Sequence, residues 1–302
     1  METYDLLVIG GGAAGMAAAL SAEAAGVPRI LLVERAGQLG GVLPQCIHRG
    51  FGRGQFGADL TGPEYADRFI RRTMQSNVHV RTGTTVLQLK QDKTALLSSG
   101  TGLTRVSFAR CILASGCRER PVGSLPVWGT RPAGIFTAGA AQKMVNLAHY
   151  HLGNAVVILG SGDIGQIMAR QFVQSGIRVV AVVEQKAALG GMARNQRECI
   201  QAYGIPVILR ATIDEILGSG RISGVMVRHL DTGDTQRLDC DTLVTALGLI
   251  PERELIDPLW QSGRLPDWIS LCGNCDHIYD IVDSITAQAE KLGAACRQGA
   301  ST

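Results

Sequence analysis

Apolar residues in this chain come in short unbroken runs that end in glycine, and the pattern occurs twice. "YDLLVIG" (residues 4–10) reads as a buried strand entering a turn, and "AVVILG" (155–160) has the same form. Each is followed by G-x-G-x-x-G and then by a stretch with helical apolar spacing, over residues 13–25 and 164–174. Gly26 and Gly176 stand just past these stretches, where glycine commonly closes a helix. A second apolar run follows, "ILLVE" and "VVAVVE", each ending in a glutamate nineteen residues after the third glycine.

The copies stand 150 residues apart. From Gly10 and Gly160 they align without a gap to a closing double glycine at 40–41 and 190–191. Ten positions are identical, including Gly10/Gly160, Gly12/Gly162, Gly15/Gly165, Glu34/Glu184 and the final Leu-Gly-Gly. A gapless repeat of this length marks a duplicated supersecondary unit. Strand, glycine turn, helix, strand and acid form the fingerprint of a dinucleotide-binding unit. The first glycine allows the tight turn, the second lets a pyrophosphate approach the backbone, and the third lets helix pack on strand. Phosphates meet the free N–H groups at the helix N-terminus, and the glutamate accepts hydrogen bonds from the adenosine ribose. The expected fold class is therefore α/β with two Rossmann-like domains. Two such sites in one chain divide between a tightly held flavin and an exchanging nicotinamide cofactor.

The 302 residues are long for one hydrophobic core and comfortable for two. A net charge of +3, with lysines and arginines dispersed, leaves no footprint for nucleic acid. The apolar run at 6–20 is preceded by Glu2 and Asp5 and broken by glycines, so it reads as strand, turn and helix and not as an export signal. No later run is long enough to span a bilayer. Eight irregularly spaced cysteines then point to reduced thiols and a cytoplasmic setting.

With these residues in place, the chain resembles the flavoproteins built of two dinucleotide-binding domains, which include thioredoxin reductases and pyridine nucleotide-disulfide oxidoreductases. The resemblance covers nearly the whole chain. "CILASGC" (111–117) is similar to the family's A-T-G segment, with Ser115 in the threonine's place, and "TLVTALGLIPE" (242–252) to the second such segment. "SLCGNCDHIYDIVDSITAQAEKLG" (270–293) stands where the family has a strand, a G-D pair and a closing helix against the flavin, here with Gly273-Asn274.

The resemblance implies a flavin domain split into residues 1–120 and 248–302, with a nicotinamide domain at 121–247. "GTRPAGIFTAGAAQ" (129–142), rich in Gly and Pro, reads as the crossover. "VRTGTTVLQLK" (80–90) and "TRVSFAR" (104–110) read as a small antiparallel insertion. FAD is implied on Gly10, Gly12, Ala13, Ala14, Gly15, Glu34, Arg35 and Gly41. NAD is implied on Gly160, Gly162, Asp163, Ile164, Gly165 and Glu184. Ser115, Gly116, Gly248, Gly273 and Asn274 complete the cofactor contacts. A closing helix starting near 276–278 is expected to aim its N-terminus at the flavin. The expected architecture is that of the short, thioredoxin-reductase-like branch, without the family's long C-terminal interface domain.

In that family a thioredoxin reductase carries C-x-x-C in its nicotinamide domain, but residues 121–247 hold only Cys199 and Cys240. A glutathione-type reductase carries C-x-x-x-x-C after the first Leu-Gly-Gly, where "LGGVLPQCIHRGFG" has Cys46 alone. A thiol-disulfide reductase, using Cys46 or Cys272/Cys275, is therefore the less favoured reading. Cys46 is the candidate catalytic residue, either a reactive thiolate or charge-transfer neighbour of the flavin with His48 beside it, or a packed loop thiol. Cys272-Gly-Asn-Cys275 reads as a redox dithiol or as two buried thiols, and no metal is expected for want of further ligands. "RGFGRGQFG" (49–57) reads as a mobile surface over a cofactor or partner, or as an ordinary exposed turn.

Several segments, among them "LTGPEYADRFI", "ASGCRERP" and "GSGDIGQIMAR", also resemble small FAD/NAD oxidoreductases associated with anaerobic-type glycerol-3-phosphate dehydrogenases. That resemblance implies an oligomer in which electrons pass between NAD(H) and an acceptor or donor, either a small molecule or a larger flavin-dependent dehydrogenase subunit. Glu184 followed by Gln185-Lys186, with no arginine, favours NADH over NADPH. Hydride transfer between nicotinamide and flavin, with no obligatory protein nucleophile, is the expected reaction.

Overall fold

A strand covered on both faces needs apolar residues at successive positions, not alternate ones. In the computed structural model, which describes residues 1–260 and 263–296, both copies of the repeat meet this need. Glu2–Ile9 pairs in parallel with Ile30–Val33, with Leu6 opposite Ile30 and Ile9 opposite Val33, and all of these positions are buried. The helix Ala13–Ala24 connects the two strands.

The first compact unit comprises Met1–Arg118 and Pro251–Thr302. Its sheet runs His79–Arg81, Ile30–Val33, Glu2–Ile9, Gly102–Leu113, Thr94–Ser99, Thr85–Leu89. The long strand Gly102–Leu113 has two kinds of neighbour. Its first half pairs antiparallel with Thr94–Ser99, and its second half pairs in parallel with Ile269–Leu271. Ala17, Ala18 and Ala22 pack in one buried cluster with Ala289 of the closing helix Val282–Ala295. A side chain on Gly293 would collide with the Ala18 carbonyl oxygen, so small residues set the spacing of this helix pair.

The second unit is Glu119–Ile250. Five parallel strands run Ile135–Thr137, Thr242–Thr245, Ala155–Leu159, Arg178–Val183, Val207–Ile208, with the helix Asp163–Gln174 following Ala155–Leu159. A separate four-stranded sheet, Trp128–Gly129, Ala211–Gly218, Ile222–His229 and Thr235–Leu238, has no counterpart among the sequence expectations.

The repeat extends to individual hydrogen bonds. Gly10 N–H donates to Val33 O and Gly160 N–H to Val183 O, both at 2.8 Å. Glu34 N–H donates to Arg81 O at 2.8 Å and Glu184 N–H to Ile208 O at 2.9 Å. The duplicated unit therefore includes a third strand that sequence identity does not reveal.

Two expectations need correction, and the unit bounds lie within three residues of those expected. The units part at 118/119 and 250/251, where 120/121 and 247/248 were expected, and residues 297–302 of the expected 248–302 segment lie outside the described residues. Residues 129–142 are not the crossover, because they lie inside the second unit. There a side chain on Gly129 (φ 88°) would collide with Ile216 O, and the first carbon of one on Gly134 (φ 99°) would stand only 2.7 Å from Asp241 O. Glycine at these positions permits close packing and does not mark a linker. The closing helix starts at Val282, not near 276–278. Gly273–Cys275 forms a single 3-10 turn, Asn274 Oδ1 accepts from Tyr279 N–H at 3.1 Å, and Ile281 is extended, which keeps the chain out of the helix until Val282.

Candidate functional site

The three glycines of each motif stand under different demands. A side chain on Gly10 or Gly160, both at positive φ, would collide with the carbonyl oxygen of Ala114 or Ala246. One on Gly15 would collide with Gly10 O, and one on Gly165 would crowd Gly160 O. The fold itself requires these four. Gly12 and Gly162 differ. Their φ angles of −78° and −61° suit any residue. A Cβ at Gly12 would come no nearer than 3.8 Å to Gly41 Cα, and one at Gly162 would meet nothing within 4 Å. Packing leaves these two glycines unexplained, whereas a pyrophosphate lying against the helix N-terminus explains both. The residues present therefore fit a dinucleotide in each unit.

Both glutamates are buried at the ends of their strands. Glu34 accepts from Gly11 N–H at 2.6 Å through Oε2 and from Ala36 N–H at 2.7 Å through Oε1. Glu184 accepts from Ser161 N–H (3.0 Å), Ser161 Oγ–H (2.5 Å) and Lys186 N–H (2.9 Å). Burial acts to raise the pKa of Glu184, but these hydrogen bonds, led by that of the Ser161 hydroxyl, outweigh it and hold the carboxyl below its ordinary value. It is a carboxylate at neutral pH.

The remaining sequence candidates fall into groups. In the first unit a Cβ on Gly41 would stand 3.0 Å from Gly12 Cα, and one on Gly273 only 2.9 Å from Ala14 Cβ, so both positions lie too close to their neighbours for a side chain. Ala13 opens the first helix. Ser115 Oγ–H donates to Glu252 O at 2.5 Å, and the exposed Arg35 reaches Glu252 Oε2 at 3.4 Å. Gly116 (φ 76°) and, in the second unit, Gly248 (φ 94°) occupy turns with open space beside them. Asn274 does not present a bare amide, because its oxygen takes Tyr279 N–H and its nitrogen lies 3.6 Å from Cys117 Sγ.

In the second unit Asp163 Oδ1 accepts from Met192 N–H and Asn195 Nδ2, both at 2.7 Å, and Ile164 packs on the core. Four supporting residues escaped the sequence reading. Gln288 accepts from Gly273 N–H at 2.9 Å, and Arg253 donates to the Cys275 and Asp276 carbonyls. Gln166 and Ser161 tie down the Gly190 loop. Only Ser161 carried a signal, as the polar residue between the first two motif glycines.

The cysteines are free thiols. Cys46 follows the short turn Leu43–Gln45 and faces Val42 O at 3.5 Å, and burial pushes its pKa up to about 12. His48 lies 3.1 Å from Arg49 O and stacks on Phe51 at 5.0 Å. Cys272 and Cys275 are fully buried. Burial, then the neighbouring Cys275 and Asp276, pushes Cys272 up to about 12, while Cys275 Sγ–H points to Leu113 O at 3.0 Å. With their pKa raised in this way, Cys46 and Cys272 are protonated at neutral pH and react slowly. Among the described residues no group of three or more His, Cys, Asp or Glu is arranged to hold a metal ion. Residues 49–57 form a short strand, Arg49–Phe51, and a helical turn, Arg53–Phe56, bonded to the closing helix, with Gly54 N–H donating to Asp283 Oδ2 at 2.8 Å and Gln55 Nε2 to Glu290 Oε1 at 2.8 Å. Among the described residues no helix is long and apolar enough to cross a membrane.

Comparison with known proteins agrees with this geometry. Hydrogen cyanide synthase subunit HcnB of Pseudomonas protegens is 28% identical over 277 residues, covering 82% of this chain and 57% of that protein. An opine oxidase subunit of Agrobacterium tumefaciens is 30% identical over 279 residues, covering 84% and 54%. The chain thus spans a little over half the length of these relatives. The crystal structure of T. acidophilum thioredoxin reductase superposes with a TM-score of 0.80 over 100% of both chains, at 19% identity, and shows the same fold. Residues 4–298 match the family model described as pyridine nucleotide-disulphide oxidoreductase, and the chain belongs to that family of FAD-dependent oxidoreductases.

Proposed function

We propose that this chain transfers a hydride between NAD(H) and FAD, holding FAD in the first unit and NAD in the second, and exchanges the electrons with a second protein or a small acceptor. The observation that carries the reading is the pair Gly12 and Gly162, glycines that a bound pyrophosphate needs and the fold does not. The two bound cofactors supply the hydride donor and acceptor. The chain supplies binding and orientation. N–H groups at the starts of Ala13–Ala24 and Asp163–Gln174 meet phosphate charge, and Glu34 and Glu184 meet ribose hydroxyls. A charged Glu184 repels a 2′-phosphate, which favours NADH.

No protein thiol is required on this route. The half-buried Cys46 and the buried Cys272, both protonated, and the buried Cys275 support that view over a thiol-disulfide reductase. Eight free cysteines suit a reducing, cytoplasmic setting. A second reading is favoured by the relatives, which are themselves named as subunits. Here the chain is an electron-transfer subunit, with little activity alone, of a larger flavin-dependent dehydrogenase. A glycerol-3-phosphate-type partner rests on the sequence resemblance.

Anaerobic mixing of the FAD-loaded protein with NADH tests the hydride step. Wild type, Cys46→Ser and the double variant Cys272→Ser/Cys275→Ser should all bleach the flavin within about tenfold of one another. Absence of bleaching with either nicotinamide cofactor would refute the reading. A cysteine variant that kept FAD but lost bleaching would place a thiol on the hydride path. Turnover that appears only with a co-purifying flavoprotein would decide for the second reading.

A further inference from the structure

We propose that Ser161 is a positioning residue that fixes the Glu184 carboxylate and so sets the second site's preference for a dinucleotide with a free 2′-hydroxyl over one with a 2′-phosphate. The inference rests on the reading that Glu184 meets the adenosine ribose.

The two copies differ at this point. In the first unit the position is Gly11, where a side chain would run into Leu39 and stand 3.1 Å from Glu34 Oε2. Glu34 is held by two backbone N–H groups. In the second unit the position is Ser161, fully buried, and Glu184 takes three donors. Gly190 N–H donates to Ser161 Oγ at 2.8 Å, and a hydroxyl has a single hydrogen to give. That hydrogen goes to Glu184 Oε2, so the direction of the chain Gly190 N–H to Ser161 Oγ–H to Glu184 is forced.

The network is anchored below. Gln166, fully buried, donates through Nε2 to Ser161 O at 2.7 Å and to Gly190 O at 2.8 Å. The first copy has Met16 there, whose side chain has no such donor. Ser161 thus couples the ribose-binding acid to the loop after the second motif.

A carboxylate with a third, short bond from the Ser161 hydroxyl resists turning away from an incoming 2′-phosphate more than one held by two N–H groups alone. Two cations stand close to Glu184 along the backbone. Lys186 N–H binds Glu184 Oε1, and Arg210 N–H donates to Lys186 O at 3.0 Å. The Arg210 guanidinium is paired with Asp231 at 3.2 Å on the surface. Without the Ser161 hydroxyl, Glu184 keeps only the Ser161 and Lys186 N–H bonds, so the carboxylate is held less firmly and yields more readily to a 2′-phosphate beside Lys186. Ser161→Ala should therefore weaken binding of the 2′-hydroxyl form and strengthen binding of the 2′-phosphate form. A merely structural loss would weaken both.

The test is calorimetric titration of the FAD-loaded protein with ADP-ribose and with its 2′-phosphate, ligands that carry no hydride. Ser161→Ala, Ser161→Gly and Glu184→Gln are compared with wild type, with FAD content and melting temperature as checks on folding. Wild type should prefer ADP-ribose by about tenfold or more, the scale of one hydrogen bond to a charged group. Both Ser161 variants should narrow that ratio by about fivefold or more. An unchanged ratio in folded Ser161 variants, or an equal loss for both ligands, overturns the proposal. A Glu184→Gln variant that keeps the wild-type ratio overturns the reading of Glu184 itself, whatever the Ser161 variants do.

Discussion

Gly12→Ala should leave the fold intact and weaken FAD binding, whereas Gly10→Ala should damage the fold. At Gly12 the backbone is already in a conformation open to alanine, and the new carbon meets nothing closer than 3.8 Å. Alanine at a helix N-cap costs several tenths of a kcal/mol relative to glycine. Against this, a less flexible unfolded chain returns about 0.4–1 kcal/mol. The net change is within about 1 kcal/mol, a shift of a few degrees at most in melting temperature. At Gly10 the residue has φ 110° and the carbon would collide with Ala114 O, a backbone atom that cannot step aside. Strain and overpacking together put that cost at about 3 kcal/mol or more.

Cofactor binding should rank the variants the other way. A methyl group at Gly12 occupies the approach of the pyrophosphate and forfeits at least one charge-assisted hydrogen bond, about 1.5–3 kcal/mol. That is an affinity loss of about tenfold to a hundredfold. The same change at Gly162 should weaken ADP-ribose binding and spare FAD. Thermal unfolding of cofactor-free protein and titration of the apoprotein with FAD measure the two effects separately. A Gly12→Ala protein that binds FAD like wild type, or melts like Gly10→Ala, would refute the reasoning.

Two further outcomes follow from packing and charge. Gly293→Val drives a side chain into the backbone of the first helix at Ala18 and Ala22, and should cost about 2–3 kcal/mol, read as a lowered melting temperature. An unchanged melting temperature would mean that the helix pair can part without loss. Asp241 accepts from Asn154 N–H at 2.8 Å and Ala155 N–H at 3.1 Å, and although burial acts to raise its pKa, these bonds lower it. A carboxyl with a lowered folded pKa stabilises fully above its unfolded value, and that stability is lost as pH falls through the folded one. Asp241→Asn should therefore be less stable than wild type at neutral pH, by about 1 kcal/mol or less because solvent screens this partly exposed carboxyl. The difference should shrink to nothing in acid, and one that stays constant with pH would rule out the charge as its source.

The core of both units was legible because buried parallel strands and glycine turns write themselves as continuous apolar runs and fixed spacings. The limits of legibility have local causes. Residues 129–142 look like a linker because Gly and Pro mark flexible chain and close packing with the same letters, and only Ile216 O and Asp241 O show which applies at Gly129 and Gly134. The start of the closing helix is misread because its delay depends on Asn274 capping Tyr279 N–H, a side-chain bond that propensity does not register. The four-stranded sheet of the second unit was hidden because strands such as Ala211–Gly218 alternate irregularly, with bulges that break the two-residue period. At the site, motif positions were visible but their supports were not, since Gln288 and Arg253 reach Gly273–Asp276 from other segments.

The divergence between the copies bears on why one site should hold its ligand and the other release it. After the first Leu-Gly-Gly the chain is closed by apolar packing, with Leu39, Leu43, Tyr65 and Ala66 in a single buried cluster. After the second, the loop is closed by polar bonds. Asp163 takes Met192 N–H and Asn195 Nδ2, while Gln166 and Gln196 both donate to Gly190 O. Apolar contacts open only by exposing surface to water, at about 25 cal/mol per Å². Hydrogen bonds can be traded for bonds to water at a net cost of about 1 kcal/mol each. A loop fastened in the second way opens in small steps, and one fastened in the first way opens only as a unit. That difference suits the proposed arrangement of a resident flavin beside Gly12 and an exchanging nicotinamide beside Gly162.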